Sequence, residues 1–335
     1  MKLDALDTKI LSVLDKDARL TDSEIGKKTR ASKQVIRYRL KKLQEDKIIE
    51  NYYTMVDVGQ LGFDSYYLFV QLTGLNSKQE NELYQKILQK PYISWLITGV
   101  GRWDAVILFC AKSIAQFNNQ LIELKILLGK NLHEHTYVTL IQAEHIGYKF
   151  VNPDKHLSLK TTPKDQIFSL NNIDKKMLKT INQDARMQVT EIAENISEPI
   201  HVVHYHLKKL KKEGLIKGFK PKINIQKLGL QWHLLLIKFN SVSYDKIKDF
   251  LEYCNNQKAV YYATNTVGNY DVMLDLHVKD TEEFREFLFN IKNRFQEVIL
   301  LYESIFVFEE LLITYIPEVV LDQNNNLINI SRIKK

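Results

Sequence analysis

The stretch Ser32-Lys33-Gln34-Val35-Ile36-Arg37-Tyr38-Arg39-Leu40-Lys41-Lys42-Leu43 decides the reading of this chain. Ile36, Leu40 and Leu43 recur at i, i+4 and i+7, which is one face of a helix. Lys33, Gln34, Arg37, Tyr38 and Lys41 fall away from that face. The Ser32 hydroxyl is placed to accept an orphan backbone N–H and cap the start. The expected product is a short helix, apolar on one side and basic on the other. A major groove accepts an element of that size. The pattern returns as Pro199-Ile200-His201-Val202-Val203-His204-Tyr205-His206-Leu207-Lys208-Lys209-Leu210, at an offset of 167 residues.

The offset holds well beyond this helix. Leu6-Asp7 matches Ile173-Asp174, and Asp17-Ala18-Arg19 matches Asp184-Ala185-Arg186. Glu24-Ile25 matches Glu191-Ile192, and Leu61-Gly62 matches Leu228-Gly229. Gly101 and Asp104 match Gly268 and Asp271. One constant spacing across all of these marks residues 1–145 and 168–315 as two copies of one unit.

Within each copy the hydrophobic period changes once. Leu6, Ile10, Val13 and Leu14 form a helical stripe; a second short helix is expected from Asp22 to Thr29, capped by Thr21 or Asp22. A tight turn at Arg30-Ala31 then leads into the basic helix, giving three short helices in helix-turn-helix order. Ile48 to Val56 is rich in strand formers and suits a small wing and connecting strand. Beyond it the pattern reads βαββαβ. Strands are expected at 66–72, 93–100, 105–111 and 135–143, with helices at 79–88 and 114–127. The second copy repeats the order from Trp232 to Thr314. An antiparallel sheet with helices on one face leaves the other face bare, and a second such sheet is its natural cover. Between the copies, Lys149 to Leu170 reads as an extended, proline-containing linker, and Asp322 to Lys335 as a polar, frayed tail.

Composition narrows the function. The formal net charge of +7 favours an anionic partner, although a solvated basic surface gives the same number. Two cysteines make no disulfide framework, and Cys110 sits in an apolar run. No basic-then-apolar leader opens the sequence and no run approaches ~20 apolar residues, so a cytoplasmic, non-membrane protein is the expectation. His201 and His204 stand at i and i+3 with no local Cys or carboxylate to complete a metal site, so no metal and no cofactor are expected. No nucleophile–base or paired-acid constellation stands out, so no catalytic residue is assigned.

These residues resemble the Lrp/AsnC (leucine-responsive regulator) family, in tandem-duplicated form. The resemblance rests on Leu6-Asp7-Thr8-Lys9-Ile10-Leu11, Asp17-Ala18-Arg19, Arg39-Leu40-Lys41-Lys42-Leu43, and the Gly-Xaa-Xaa-Asp turns Gly101-Arg102-Trp103-Asp104 and Gly268-Asn269-Tyr270-Asp271. It implies an α+β fold: two tandem copies of a winged helix-turn-helix plus a ferredoxin-like (ACT/RAM-like) βαββαβ domain. The expected boundaries are 1–60 and 61–148, a linker at 149–168, then 169–228 and 229–317, and a tail at 318–335. The two βαββαβ units are expected to pair within the chain, with room for further homo-oligomerisation.

By the same resemblance the chain is a transcription regulator that binds double-stranded DNA. In the first reader, Ser32, Lys33, Gln34, Arg37, Tyr38, Arg39 and Lys41 are the candidate contacts, with Arg39 nearer the core face and reaching a phosphate. In the second, Ile200, His201, His204, Tyr205 and Lys208 take their place, and His206 replaces Arg39. Neutral imidazoles lose the phosphate attraction that arginine provides. Gly101, Asp104, Gly268 and Asp271 are expected to line a cleft for a small amino-acid-like effector. Sirohaem decarboxylases resemble the same fold and provide the competing, enzymatic reading. A ligand-sensing partner with weakened DNA binding is a third.

Overall fold

A computed structural model describes residues 3–151, 158–161 and 167–321. The prolines of the expected linker and the Asp322–Lys335 tail lie outside the described residues.

The first copy opens with α1 (Ala5–Lys16), α2 (Asp22–Thr29) and α3 (Lys33–Glu45). Each start is fixed by a side chain that takes up an orphan amide. Asp4 and Asp7 form a reciprocal capping box on α1, Thr21 and Glu24 do so on α2, and Ser32 accepts from Val35 on α3. Arg30 ends α2 in the left-handed region at φ 60°, and Ser197 takes φ 56° at the equivalent place in the second copy. The strand β1 (Ile49–Val56) follows directly. Then come β2 (Asp64–Leu72), α4 (Ser77–Leu88), β3 (Ile93–Val100), β4 (Ala105–Ala111), α5 (Ile114–Leu128) and β5 (Leu132–His145). A two-residue strand, β6 (Leu159–Lys160), pairs with the end of β5.

The second copy repeats this with α6 (Asn172–Gln183), α7 (Val189–Ile196), α8 (Ile200–Lys212) and β7 (Ile216–Ile223). Its remaining elements are β8 (Gln231–Phe239), α9 (Tyr244–Asn256), β9 (Val260–Gly268), β10 (Val272–Val278), α10 (Thr281–Phe295) and β11 (Ile299–Ile313), followed by a short α11 (Glu318–Leu321). Pro199 precedes α8 as its cap residue and does not occupy its first turn. No helix among the described residues is long and apolar enough to cross a membrane.

The copies are joined more closely than two stacked sheets would be. Within each copy the strands run β5-β2-β4-β3 and β11-β8-β10-β9. The edge strand β3 pairs antiparallel with β11, and β5 pairs with β9, so eight strands close into a barrel. An edge strand carries unpaired N–H and C=O groups, and pairing both edges satisfies them. The barrel interior is a shared apolar core containing Phe69, Ile97, Val106, Leu234, Leu236 and Val307. Trp103 and Tyr270 occupy equivalent positions and meet there, the indole N–H donating to the phenol oxygen at 2.8 Å. The helices α4, α5, α9 and α10 cover the outside.

The expected wing takes a different form. β1 finds its partner in β7 of the other copy, from Ile49 opposite Ile223 to Val56 opposite Ile216. This inter-copy ribbon merges the two three-helix heads into one apolar core, with Ile10, Ile25 and Ile36 joined to Ile181, Ile192 and Val203.

The repeated Asp-Ala-Arg tripeptide is the clasp on that junction. Asp17 and Asp184 each accept the amide of the arginine two residues on. Arg19 donates to the Ala185 and Met187 carbonyls at 2.6 and 2.9 Å, and Arg186 donates to the Ala18 carbonyl at 2.9 Å. Each guanidinium also lies over a ring of the opposite ribbon strand, Arg19 on Phe219 at 5.3 Å and Arg186 on Tyr52 at 5.2 Å. Charged donors to buried carbonyls are worth more than neutral ones. Arg19→Ala and Arg186→Ala should each lower the unfolding free energy by about 2 kcal/mol, seen as a reduced urea midpoint. Arg19→Lys should recover little, because an ammonium lacks the fork that spans two carbonyls. Wild-type midpoints in all three variants would contradict the clasp.

Candidate nucleic-acid interface and central cavity

α3 buries Ile36, Leu40 and Leu43 and turns its other side outward. Ser32, Lys33, Gln34, Arg37, Tyr38 and Lys41 are all exposed. Arg37 makes one long contact, 3.4 Å to Asp22, with most of its side chain in solvent. Lys41 faces Glu45 one turn on at 3.6 Å. Arg39 is placed differently from the sequence expectation. It is drawn inward to Asp4 at 2.6 Å and Asp7 at 3.2 Å, so its guanidinium ties α3 to the start of α1. A phosphate would have to compete with two carboxylates already in contact.

On α8, Ile200, His201, His204, Tyr205 and Lys208 are exposed. Tyr38 and Tyr205, equivalent by the offset, are each 64% exposed. His206 is buried and its Nδ1 lies 2.6 Å from Asp174, the counterpart of Asp7. The Arg39–Asp7 pair of the first head is thus a His206–Asp174 pair in the second, and of the three imidazoles only His201 and His204 face outward. No cluster of three or more His, Cys, Asp or Glu suited to a metal ion occurs among the described residues.

The Gly-Xaa-Xaa-Asp turns are occupied with building the barrel. Asp104 accepts the Leu72 amide at 2.6 Å, and Asp271 accepts the Phe239 amide at 2.8 Å and Lys238 Nζ at 3.0 Å. Gly101 and Gly268 sit where the two copies are zipped together. A Cβ on Gly101 would meet the Ser304 carbonyl at 2.6 Å, and one on Gly268 the Tyr137 carbonyl at 2.9 Å. Their φ values of 155° and 142° disfavour any side chain as well.

A cavity of about 380 Å³ lies where the β1–β7 ribbon crosses the end of the barrel. Every barrel strand and both ribbon strands contribute to its wall. Two tryptophan–carboxylate pairs stand in it. Trp232 donates to Asp275 Oδ1 at 2.8 Å, and Trp95 donates to Glu310 Oε1 at 2.6 Å. The two indoles are 6.3 Å apart. Glu310 has an ammonium partner, Lys222 at 3.2 Å, which Glu50 shares at the same distance. Burial pushes the Asp275 carboxyl up to about 7, against the opposing pull of the Trp232 N–H. Burial also holds the His277 imidazole down to about 3. A second polar knot joins Tyr53, Tyr261 and His145 through contacts of 2.9 to 3.3 Å.

Sequence reasoning missed this cavity, yet a signal existed. At the offset of 167, Asp275 stands against Leu108, Glu310 against Ala143, Trp232 against Ser65 and His277 against Cys110. At these four positions ionisable or amphipathic residues of the second copy stand where the first has small or apolar ones.

Comparison with known proteins agrees with the geometry. Residues 3–50 and 170–217 each match the winged helix-turn-helix DNA-binding family model. The regulator FL11 of Pyrococcus furiosus is 28% identical over 120 residues, 36% of this chain and 78% of its own length. The regulatory protein AsnC of Haemophilus influenzae is 28% identical over 122 residues, 36% of this chain and 79% of its own. The crystal structure of the siroheme decarboxylase NirDL superposes with a TM-score of 0.60 at 15% identity, covering 93% of this chain and 94% of that one. At that identity the likeness is one of fold. The molecule is a pair of winged helix-turn-helix heads carried on two fused ferredoxin-like units. Each copy is similar to single-copy regulators of the Lrp/AsnC kind, and the chain resembles a tandem-duplicated form of that family.

Asp275 sets a pH signature. In the fold its proton is held to about 7, against 3.8 unperturbed. Its contribution is present below the unfolded value and is lost as pH rises through the folded one. Asp275→Asn removes this dependence. The stability of the variant relative to wild type should therefore rise by about 2–3 kcal/mol between pH 5 and pH 8, measured by urea melts. Parallel pH profiles for the two proteins would contradict the assignment.

Proposed function

We propose that the chain is a sequence-specific, double-stranded-DNA-binding transcription regulator that reads its site with α3 and α8. The observation that carries this reading is the outer face of α3. Ser32, Lys33, Gln34, Arg37, Tyr38 and Lys41 are exposed together on a helix whose opposite side is sealed in a core. Lysine and arginine hold phosphates, while arginine, glutamine and serine can bond base edges in the major groove. The second reader offers different chemistry at equivalent positions. Ile200 suits a thymine methyl, and Lys208 and Lys212 supply phosphate contacts at the far end. Fusion places two unlike readers on one chain, so the proposed operator is an asymmetric pair of half-sites.

The family resemblance also suggests a small amino-acid-like effector and further homo-oligomerisation, and both remain part of the proposal. The four turn residues expected to line the effector cleft have their carboxylates and close backbone contacts committed elsewhere. An effector would need other side chains, and the central cavity has them. The enzymatic alternative rests on fold likeness alone. Of the acidic residues that line the cavity, Asp57 is paired with Lys217 and Glu310 with Lys222, and Asp275 accepts the Trp232 N–H.

Combined replacement of Lys33, Arg37 and Lys41 by alanine tests the reading. Gel-shift titration should show a large loss of duplex affinity. The slope of log affinity against log salt should shrink by about one unit for each phosphate contact removed. Unchanged affinity and slope in a folded variant would overturn the reading.

A further inference from the structure

We infer that the central cavity binds a small organic cation, an ammonium carried on an apolar or aromatic body, with Asp275 as its counter-charge. Asp275 is 7% exposed and lies mid-strand on β10. Its Oδ1 accepts the Trp232 N–H, and among the described residues no donor reaches Oδ2. Glu310, in the same cavity, has Lys222; Asp275 has no cation. A buried carboxylate lacking a positive partner is costly, and the first copy avoids the cost with Leu108 at the same position. An incoming ammonium supplies the missing partner.

The walls suit the rest of such a molecule. Trp95, Trp232, Tyr67 and Tyr262 present aromatic surface around the acid, and π faces attract cations. A volume of about 380 Å³ falls in the range of small-ligand sites. An anion would meet Asp275 and Glu310, and a neutral molecule would draw no charge pairing from Asp275.

The groups facing Asp275 can be followed strand by strand. Glu310 on β11 is pushed up by burial and ion-paired to Lys222 of β7. Tyr262 on β9 and Tyr67 on β2 are pushed well above the usual phenol range by burial and stay neutral. His277, on β10 itself, stays neutral because burial holds it down. Asp275 is therefore the carboxyl that ionises as the cation enters, releasing its proton to solvent.

The test uses the full chain and three probes of one shape: phenethylamine, 2-phenylethanol and 3-phenylpropanoate. Binding is read from tryptophan fluorescence excited at the red edge of the indole band, where the phenyl probes do not absorb; Trp95 and Trp232 stand in the cavity wall and Trp103 in the barrel core supplies a constant background. At pH 8 phenethylamine should bind saturably and at least tenfold more tightly than the alcohol or the acid. Its affinity should rise about tenfold from pH 6 to pH 8 as Asp275 ionises, while that of the alcohol stays flat. Asp275→Asn should cost about tenfold or more for the amine alone. Should that variant fail to fold, the pH profile of the unaltered chain decides. The inference is overturned if the amine does not saturate in the millimolar range, if the alcohol or acid binds as well, or if affinity ignores both pH and the substitution. A purely structural Asp275, serving only the Trp232 N–H, would give those results. DNA retention is a separate readout, so failure here leaves the reading of α3 and α8 standing.

Discussion

The structure depends on the pairing of sheet edges between copies. A single βαββαβ unit of this chain has β3 and β5 at its rims, or β9 and β11, with half of their backbone polar groups unmatched. Each rim is closed by a strand from the other copy, β3 by β11 and β5 by β9. The bare faces of both sheets then enclose one core. Once the barrel is closed, the heads are brought together as well, and β1 and β7 pair across the junction. Arg19 and Arg186 lock that ribbon by exchanging hydrogen bonds to the opposite copy. A fused chain meets both requirements internally.

Duplication separates two kinds of residue. Positions that keep the copies together stay alike or complementary: Asp17-Ala18-Arg19 and Asp184-Ala185-Arg186, Gly101 and Gly268, and the Trp103–Tyr270 contact on the pseudo-twofold axis. Among the positions that differ, two groups change chemical character together, the outer faces of α3 and α8 and the cavity beneath the ribbon. Lys33 and Arg37 become Ile200 and His204; Leu108 and Ala143 become Asp275 and Glu310. A folding role explains the first set. The second set is where one copy has acquired chemistry that the other lacks. The ribbon strands join these places, since each leaves a reading helix and then forms part of the cavity wall.

Much of this was legible in the sequence, for physical reasons that can be named. The 3.6-residue stripe of Ile36, Leu40 and Leu43 and the cap at Ser32 gave α3 its limits, and the change of period marked the start of each βαββαβ unit. Pairing between the copies followed from the bare sheet face. What stayed hidden was long-range. Nothing local in Ile49–Val56 says that its partner is β7 and not a hairpin mate. The helical wheel puts Arg39 nearer the core face but does not say what it meets there, and only the start of α1 shows that Asp4 and Asp7 claim it. The turn aspartates resembled ligand contacts but serve backbone amides. The cavity draws residues from ten strands, so its walls have no motif, although comparing the copies position by position would have exposed Asp275 and Glu310.

The central claim is that one chain carries two unlike reading helices fixed to each other through the ribbon. Hydroxyl-radical footprinting of the selected operator at limiting protein, with stoichiometry measured on the same complex, tests it most directly. One chain should protect two patches on the same face of the duplex, with unequal strength. Protection of a single patch by one chain, with the second appearing only after another chain binds, would contradict it.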